Sequence, residues 1–204
     1  MQNPLEGSSN VPRETGDQLA AFVGLLLAEN QRQNLIARST ESEVWQRHIE
    51  DCTQLIGLAP EAAQSWLDIG SGPGLPGMVV AIARPQVRVT LCEPRRRRVE
   101  FLQAAVDALN LKNVQVAQCL AERLPDRQYD VISARAVASL DALLQMGLRL
   151  STRETYWLLP KGRSAAEEMA LAEQSWHGRF RLVASVTSSD AAIVVADGVT
   201  GRRG

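Results

Sequence analysis

Leu19, Phe22, Val23, Leu26 and Leu27 recur at spacings of three and four residues, which predicts a helix with one apolar face from about Asp17 to Asn30. The same period returns in Val44, Trp45, Ile49, Cys52, Leu55 and Ile56, and Thr40 with Glu43 ahead of them reads as a capping box opening a second helix. From Ser65 the pattern changes to short apolar runs. Trp66 to Ile69, Val87 to Cys92, Val114 to Ala117, Tyr129 to Ser133 and Thr155 to Leu159 read as strands, with helices expected to start near Leu75, Pro94, Ser139 and Ser164. Such alternation predicts a parallel sheet covered by helices on both faces. The last two runs, Arg181 to Val186 and Ala191 to Ala196, leave room between them only for a tight turn at Ser188-Ser189-Asp190, so they are expected to form an antiparallel hairpin. The expected organisation is a flexible tail over 1–16, a helical extension over 17–64, a doubly wound α/β domain over 65–196 and a flexible tail over 197–204.

Composition narrows the class. A chain of 204 residues that is 45% hydrophobic and 22% charged has enough apolar material for one full core. No apolar run is long enough to span a bilayer, and the first residues lack a basic segment followed by an apolar one, so the chain is expected in the cytoplasm, away from membranes and as a monomer. Cys52, Cys92 and Cys119 form no C-x-x-C pair, and His48 and His177 lie far apart, which points to neither a disulfide framework nor a metal site. A net charge of −1 does not announce a nucleic-acid partner. The basic residues are nevertheless almost all arginine, and Arg95 to Arg98 stand together where a helix should begin. Cations there oppose the helix dipole, an unfavourable placement unless an anion compensates; RNA phosphate and the nearby Glu93, Glu100 or Asp107 are the candidates, and a solvated charge run is the alternative.

The densest chemical signal is Asp68-Ile69-Gly70-Ser71-Gly72-Pro73-Gly74-Leu75-Pro76-Gly77, between an expected strand and an expected helix. Glycines at such a turn allow positive φ and close approach of a ligand to the backbone. Read from Gly72 the segment fits G-x-G-x-x-G, a dinucleotide fingerprint that would imply a nicotinamide-dependent oxidoreductase. Read from Asp68 it fits D-x-G-x-G-x-G, a cradle for S-adenosylmethionine in which Gly70, Gly72 and Gly74 approach the ligand. Glu93, at the end of the second strand, suits a ribose diol in both readings, and Ala121-Glu122 after the third strand stands where an adenine would lie. The helical extension ahead of the glycine strand, the terminal hairpin, and the loss of N–H donors at Pro73 and Pro76 favour S-adenosylmethionine. Arg135 and Lys161, at the ends of the fourth and fifth strands, are the candidates for orienting a base or holding a carboxylate and are the expected catalytic pair. His48 and Asp51 share one helix face, either as a packing pair or as a wall of the site.

The glycine string, with Asn34-Leu35 and Arg47-His48-Ile49-Glu50-Asp51 before it and Ser133-Ala134-Arg135-Ala136 and Pro160-Lys161-Gly162 after it, resembles the glucose-inhibited division protein B family. The resemblance runs from about Asn34 to Val195. It implies a Rossmann-like S-adenosylmethionine-dependent methyltransferase that acts on N7 of a guanosine in bacterial small-subunit (16S) ribosomal RNA, as free RNA or in a precursor particle. It also puts Gly70, Leu75, Ala121, Glu122 and Arg135 at cofactor-binding positions, with Glu93 at the ribose position. An RNA-binding assembly module with a vestigial cofactor site is the alternative outside enzymology.

Overall fold

A computed structural model describes residues 13–201. The extension contains helix α1 (Arg13–Asn30), a 3-10 turn at Arg38–Thr40, a π-helical segment at Trp45–Glu50 and helix α2 (Asp51–Ile56). The sheet is made of β1 (Ser65–Ile69), β2 (Arg88–Cys92), β3 (Val114–Ala117), β4 (Val131–Ser133), β5 (Tyr156–Lys161), β6 (Trp176–Ala184) and β7 (Ala192–Gly201). Helices α3 (Gly77–Ala83), α4 (Arg96–Ala108), α5 (Leu140–Gly147) and α6 (Ala165–Ser175) connect the first six strands, except that β3 passes to β4 through a 3-10 turn at Ala121–Arg123.

Strand order is β3-β2-β1-β4-β5-β7-β6, with β1 to β5 parallel and β7 antiparallel to both neighbours. The order reverses beside β1, where adjacent crossovers leave in opposite directions, and a crevice opens at the carboxyl ends of the strands. Alternate side chains serve opposite faces. Trp66, Leu91, Val131 and Leu158 join α1, α3 and α4 in one core, while Leu67, Ile132, Trp157 and Leu159 join α5 and α6 in the other.

The expected hairpin is present, but β6 stops at Ala184, short of Val186, so residues 185–191 form a loop rather than a tight turn at Ser188-Ser189-Asp190, and both strands run further at their other ends. β6 begins at Trp176, directly after α6, and β7 continues to Gly201, so residues 197–201 are strand rather than tail. Val199 and Trp176 are buried there, and the polar Asp197-Gly198 that hides the continuation sits opposite a register shift between His177 and Arg179. At the other end α1 starts at Arg13, inside the expected tail. The expected tail residues 1–12 and 202–204 lie outside the described part.

The capping box is not formed. The Thr40 hydroxyl donates to the Ala37 carbonyl and meets His48 Nε2, and Glu43 pairs with Arg47, so neither side chain caps a helix. Thr40 is diverted because the π-helical segment turns His48 back over it. Helix α1 ends instead on Asn30, whose buried Oδ1 accepts the backbone N–H groups of Leu35 (2.7 Å) and Ile36 (2.9 Å). That clamp carries the extension across the sheet's carboxyl edge.

Candidate cofactor and active site

The loop after β1 shapes the site because three of its residues adopt left-handed backbone angles: Gly70 (φ 67°), Gly72 (φ 55°) and Gly74 (φ 89°). Their roles differ. Gly70 and Gly72 line a cavity of about 590 Å³, and a side chain at Gly72 would have open room, meeting only Arg98 and the Gly70 carbonyl at 3.5 and 3.7 Å. Gly74, expected in the cradle, lies behind it: a Cβ there would press on Met78 and Leu102. Its task is tight packing of the loop against α3 and α4. Gly77 is similarly constrained, because a Cβ would overlap Leu91 and approach an Asp68 carboxylate oxygen at 2.9 Å.

Asp68 accounts for that crowding. Its fully buried carboxylate accepts the Gly77 N–H at the start of α3 (3.1 Å) and the Ser133 hydroxyl from β4 (2.8 Å), and Ser133 Oγ accepts the Trp66 indole N–H. Desolvation raises its pKa from 3.8 to about 6, against the opposing pull of these hydrogen bonds. Asp68 thus ties the glycine loop to the sheet and does not line the cavity.

Glu93 does line it. The carboxylate, 2% exposed, accepts the Gly72 N–H on Oε2 and the Arg95 N–H on Oε1, both at 2.9 Å, with Arg98 at 3.7 Å. One lone-pair direction on each oxygen is left for a further donor, as a ribose diol requires. Glu93 also answers the arginine run, since it supplies an anion at the start of α4; Glu100 pairs with Arg96, whereas Asp107 bonds Gln103 instead. Leu75, Ala121 and Glu122 complete the expected wall.

Arg135 closes the cavity beside β4. Its guanidinium donates to Asp51 Oδ2 (3.3 Å) and to His48 Nδ1 (3.4 Å). Because the Thr40 hydroxyl hydrogen is committed to Ala37, His48 Nε2 must carry the proton given to Thr40, which leaves Nδ1 as an acceptor for Arg135. Burial first, and then the positive charge of Arg135, bring His48 from 6.5 down to about 4, so it is neutral at physiological pH. His48 and Asp51 are therefore both a packing pair and, through His48, a wall. Lys161 is not in this cavity. Its Nζ is held by the Ala138 carbonyl (2.6 Å) and Glu168 (2.8 Å), in a neighbouring cleft that also touches Arg135.

Residues outside the expected set also line the cavity: Leu35 and Ile36 from the extension, Cys92, Cys119, Arg95 and Met146. Asn34-Leu35 was legible as a motif. The Asn30 clamp that delivers it carries no comparable signal. Burial pushes the thiols of Cys52 and Cys92 up to about 12, so neither is a ready nucleophile. No cluster of metal-binding side chains occurs among the described residues.

Glycine cradle, strand-end carboxylate and sheet order together define an S-adenosylmethionine-dependent methyltransferase. The fold is similar to that of a SAM-dependent methyltransferase from Aquifex aeolicus (TM-score 0.59, 17% identity, 76% of this chain and 92% of that one). It is also similar to the B. subtilis M1A22 tRNA methyltransferase TrmK (TM-score 0.57, 13% identity, 72% and 65%). The chain belongs to the GidB family, rRNA small subunit methyltransferase G, whose family model matches residues 15–193. Relatives named ribosomal RNA small subunit methyltransferase G are 47% identical in Rhizorhabdus wittichii (94% of this chain, 89% of that one) and 43% identical in Zymomonas mobilis (94% and 90%).

Proposed function

We propose that the protein methylates N7 of a guanosine in bacterial 16S ribosomal RNA, in the cytoplasm and as a monomer, on free RNA or a small-subunit precursor. When bound, S-adenosylmethionine supplies a methyl group activated by its sulfonium. Glu93 takes the ribose diol, Gly70 and Gly72 give the backbone approach, Leu75, Ala121 and Glu122 frame the adenosine, and Arg135 fixes polar groups at the inner end.

The choice of N7 rests on the state of the candidate bases. Guanine N7 has an in-plane lone pair at neutral pH and no proton to lose, so the reaction needs alignment and exclusion of water rather than a base. His48 is neutral but spends both ring nitrogens on Thr40 and Arg135, and Asp51 accepts from Arg135, Thr187 and Gln54. The His48 ring therefore has no free nitrogen to take a proton from an exocyclic amine, and Asp51 stands as the ion-pair partner of Arg135. Arg135, a fixed positive donor, suits guanine O6.

Two measurements test the reading. Calorimetric titration should give micromolar binding of S-adenosylhomocysteine and none of NAD. 16S RNA from a strain deleted for the gene, treated with the protein and S-adenosylmethionine, should gain one site cleaved by borohydride and aniline, the signature of N7-methylguanosine; absence of that site overturns the proposal.

A further inference from the structure

A second cleft of about 340 Å³ lies beside the cofactor cavity, at the carboxyl ends of β4 and β5 and under the start of β7. The two share Arg135 and Ala136, so one guanidinium stands between them. Pro160, Gly162, Ala191 and Ile193 give the cleft an apolar part of its lining. Asp51, Arg135, Lys161 and Glu168 add charge to it. Asp51 Oδ1 is saturated by the Thr187 hydroxyl (2.8 Å) and the Gln54 amide (3.0 Å), whereas Oδ2 has only the long contact to Arg135 (3.3 Å). Lys161 and Glu168 close the far end as a pair locked by Ala138, Leu140 and Ser164, so they shape the cleft without offering a free charge.

We infer that this second cleft receives the target guanine, with Arg135 donating to O6 and Asp51 Oδ2 accepting from the Watson–Crick edge. The inference rests on the guanosine-N7 reading and adds the place of the base to it. Around the guanine ring N7, O6 and N1–H follow one another, the first two on the major-groove edge and N1–H on the Watson–Crick edge. In the protein Arg135 lines both the cofactor cavity and the cleft, whereas Asp51 lines the cleft alone, so a base in the cleft with O6 on Arg135 turns N7 toward the cofactor while N1–H meets Asp51. Adenine carries an amino donor where guanine has O6 and no N1–H, so it would face Arg135 with a donor and leave Asp51 without one. The assignment also gives Lys161 a definite part: it is a positioning residue that anchors the cleft wall to α6 and does not touch the base.

Filling the cleft tests this directly. Gly162 is exposed and a Cβ there meets nothing within 4 Å, so Gly162→Phe adds bulk without disturbing the core; Ala191→Phe adds it from the hairpin. Neither residue lines the cofactor cavity. Each folded variant should bind S-adenosylhomocysteine within about twofold of wild type by calorimetry. Single-turnover methylation of 16S RNA should nevertheless fall on the order of a hundredfold, the scale of a misplaced reacting group. The inference is overturned if both variants keep the wild-type rate, or if cofactor affinity falls along with activity. Failure of the underlying reading looks different: wild-type protein would then leave no borohydride-cleavable guanosine in the RNA.

Discussion

Asp68 and His48 are shifted in opposite directions, and the stability of the protein between pH 4.5 and 6.5 should record both. Asp68 goes up, from 3.8 to about 6, chiefly by desolvation; its favourable protonated form is fully present below 3.8 and is lost as pH rises through 6. Stability therefore falls with rising pH on its account. His48 goes down, from 6.5 to about 4, by desolvation and the charge of Arg135; its neutral form is present above 6.5 and is lost as pH falls through 4, so stability rises with pH on its account. At 1.36 kcal/mol per unit, Asp68 removes about 2 kcal/mol between pH 4.5 and 6.5. His48 is only partly buried, and solvent screening cuts its opposite contribution to about 1 kcal/mol over the same range. Against desolvation, hydrogen bonds hold Asp130 and Glu168 below their ordinary 3.8 and 4.5, so their losses fall at more acid pH and leave this window clear. Wild type should thus show a shallow net decline. His48→Asn removes the opposing slope, and its unfolding free energy should drop by about 2 kcal/mol from pH 4.5 to 6.5. Asp68→Asn should reverse the sign and give a rise. The slope is the readout, because both substitutions also lower the overall level by breaking hydrogen bonds. Urea unfolding followed by circular dichroism at five pH values is sufficient; a His48→Asn profile parallel to wild type would refute the reasoning.

Gly72→Val should leave the protein folded but remove S-adenosylhomocysteine binding in calorimetry, since a branched side chain at φ 55° enters the cavity; unchanged affinity would dismiss the loop as the cradle. Glu93→Ala should weaken that binding by about 1.5–3 kcal/mol and also lower the melting temperature, because the Gly72 and Arg95 N–H groups lose their acceptor; a loss below tenfold in affinity counts against a ribose role. Gly77→Ala should destabilise by roughly 1–3 kcal/mol through overpacking on Leu91 and Asp68, measured by urea unfolding, and a neutral result would contradict the crowding described. The single-turnover methylation rate should be flat from about pH 6.5 to 8.5, since His48 is neutral throughout. A pKa near 7 that disappears in His48→Asn would instead mean that a histidine base operates and that N7 is the wrong atom.

The chain order of strands and helices, the hairpin and the glycine loop were legible locally, because each depends on the period of apolar residues or on a backbone angle that few residue types adopt. Gly70, Gly72, Glu93, Ala121, Glu122 and Arg135 line one cavity because they follow strand ends, which converge on one crevice in such a sheet, whereas Leu75 was reached only through the family resemblance. What neighbouring side chains do with one another was not legible. Thr40 and Glu43 fit a capping box in sequence, yet His48, eight residues beyond Thr40, claims the hydroxyl. Gly74 and Lys161 sit in the right motifs, but one packs against Met78 and the other is spent on Glu168, outcomes set by which surface each faces once the helices dock. The end of β7 was hidden because Asp197-Gly198 interrupts the apolar pattern, and pairing with β6 carries the strand past it. Local pattern fixes which elements form, since it acts over one or two turns of chain. Hydrogen bonds spanning 87 residues, such as Arg135 to His48, exist only after the sheet has brought the two segments together, so tertiary structure alone decided where the site's charge is held.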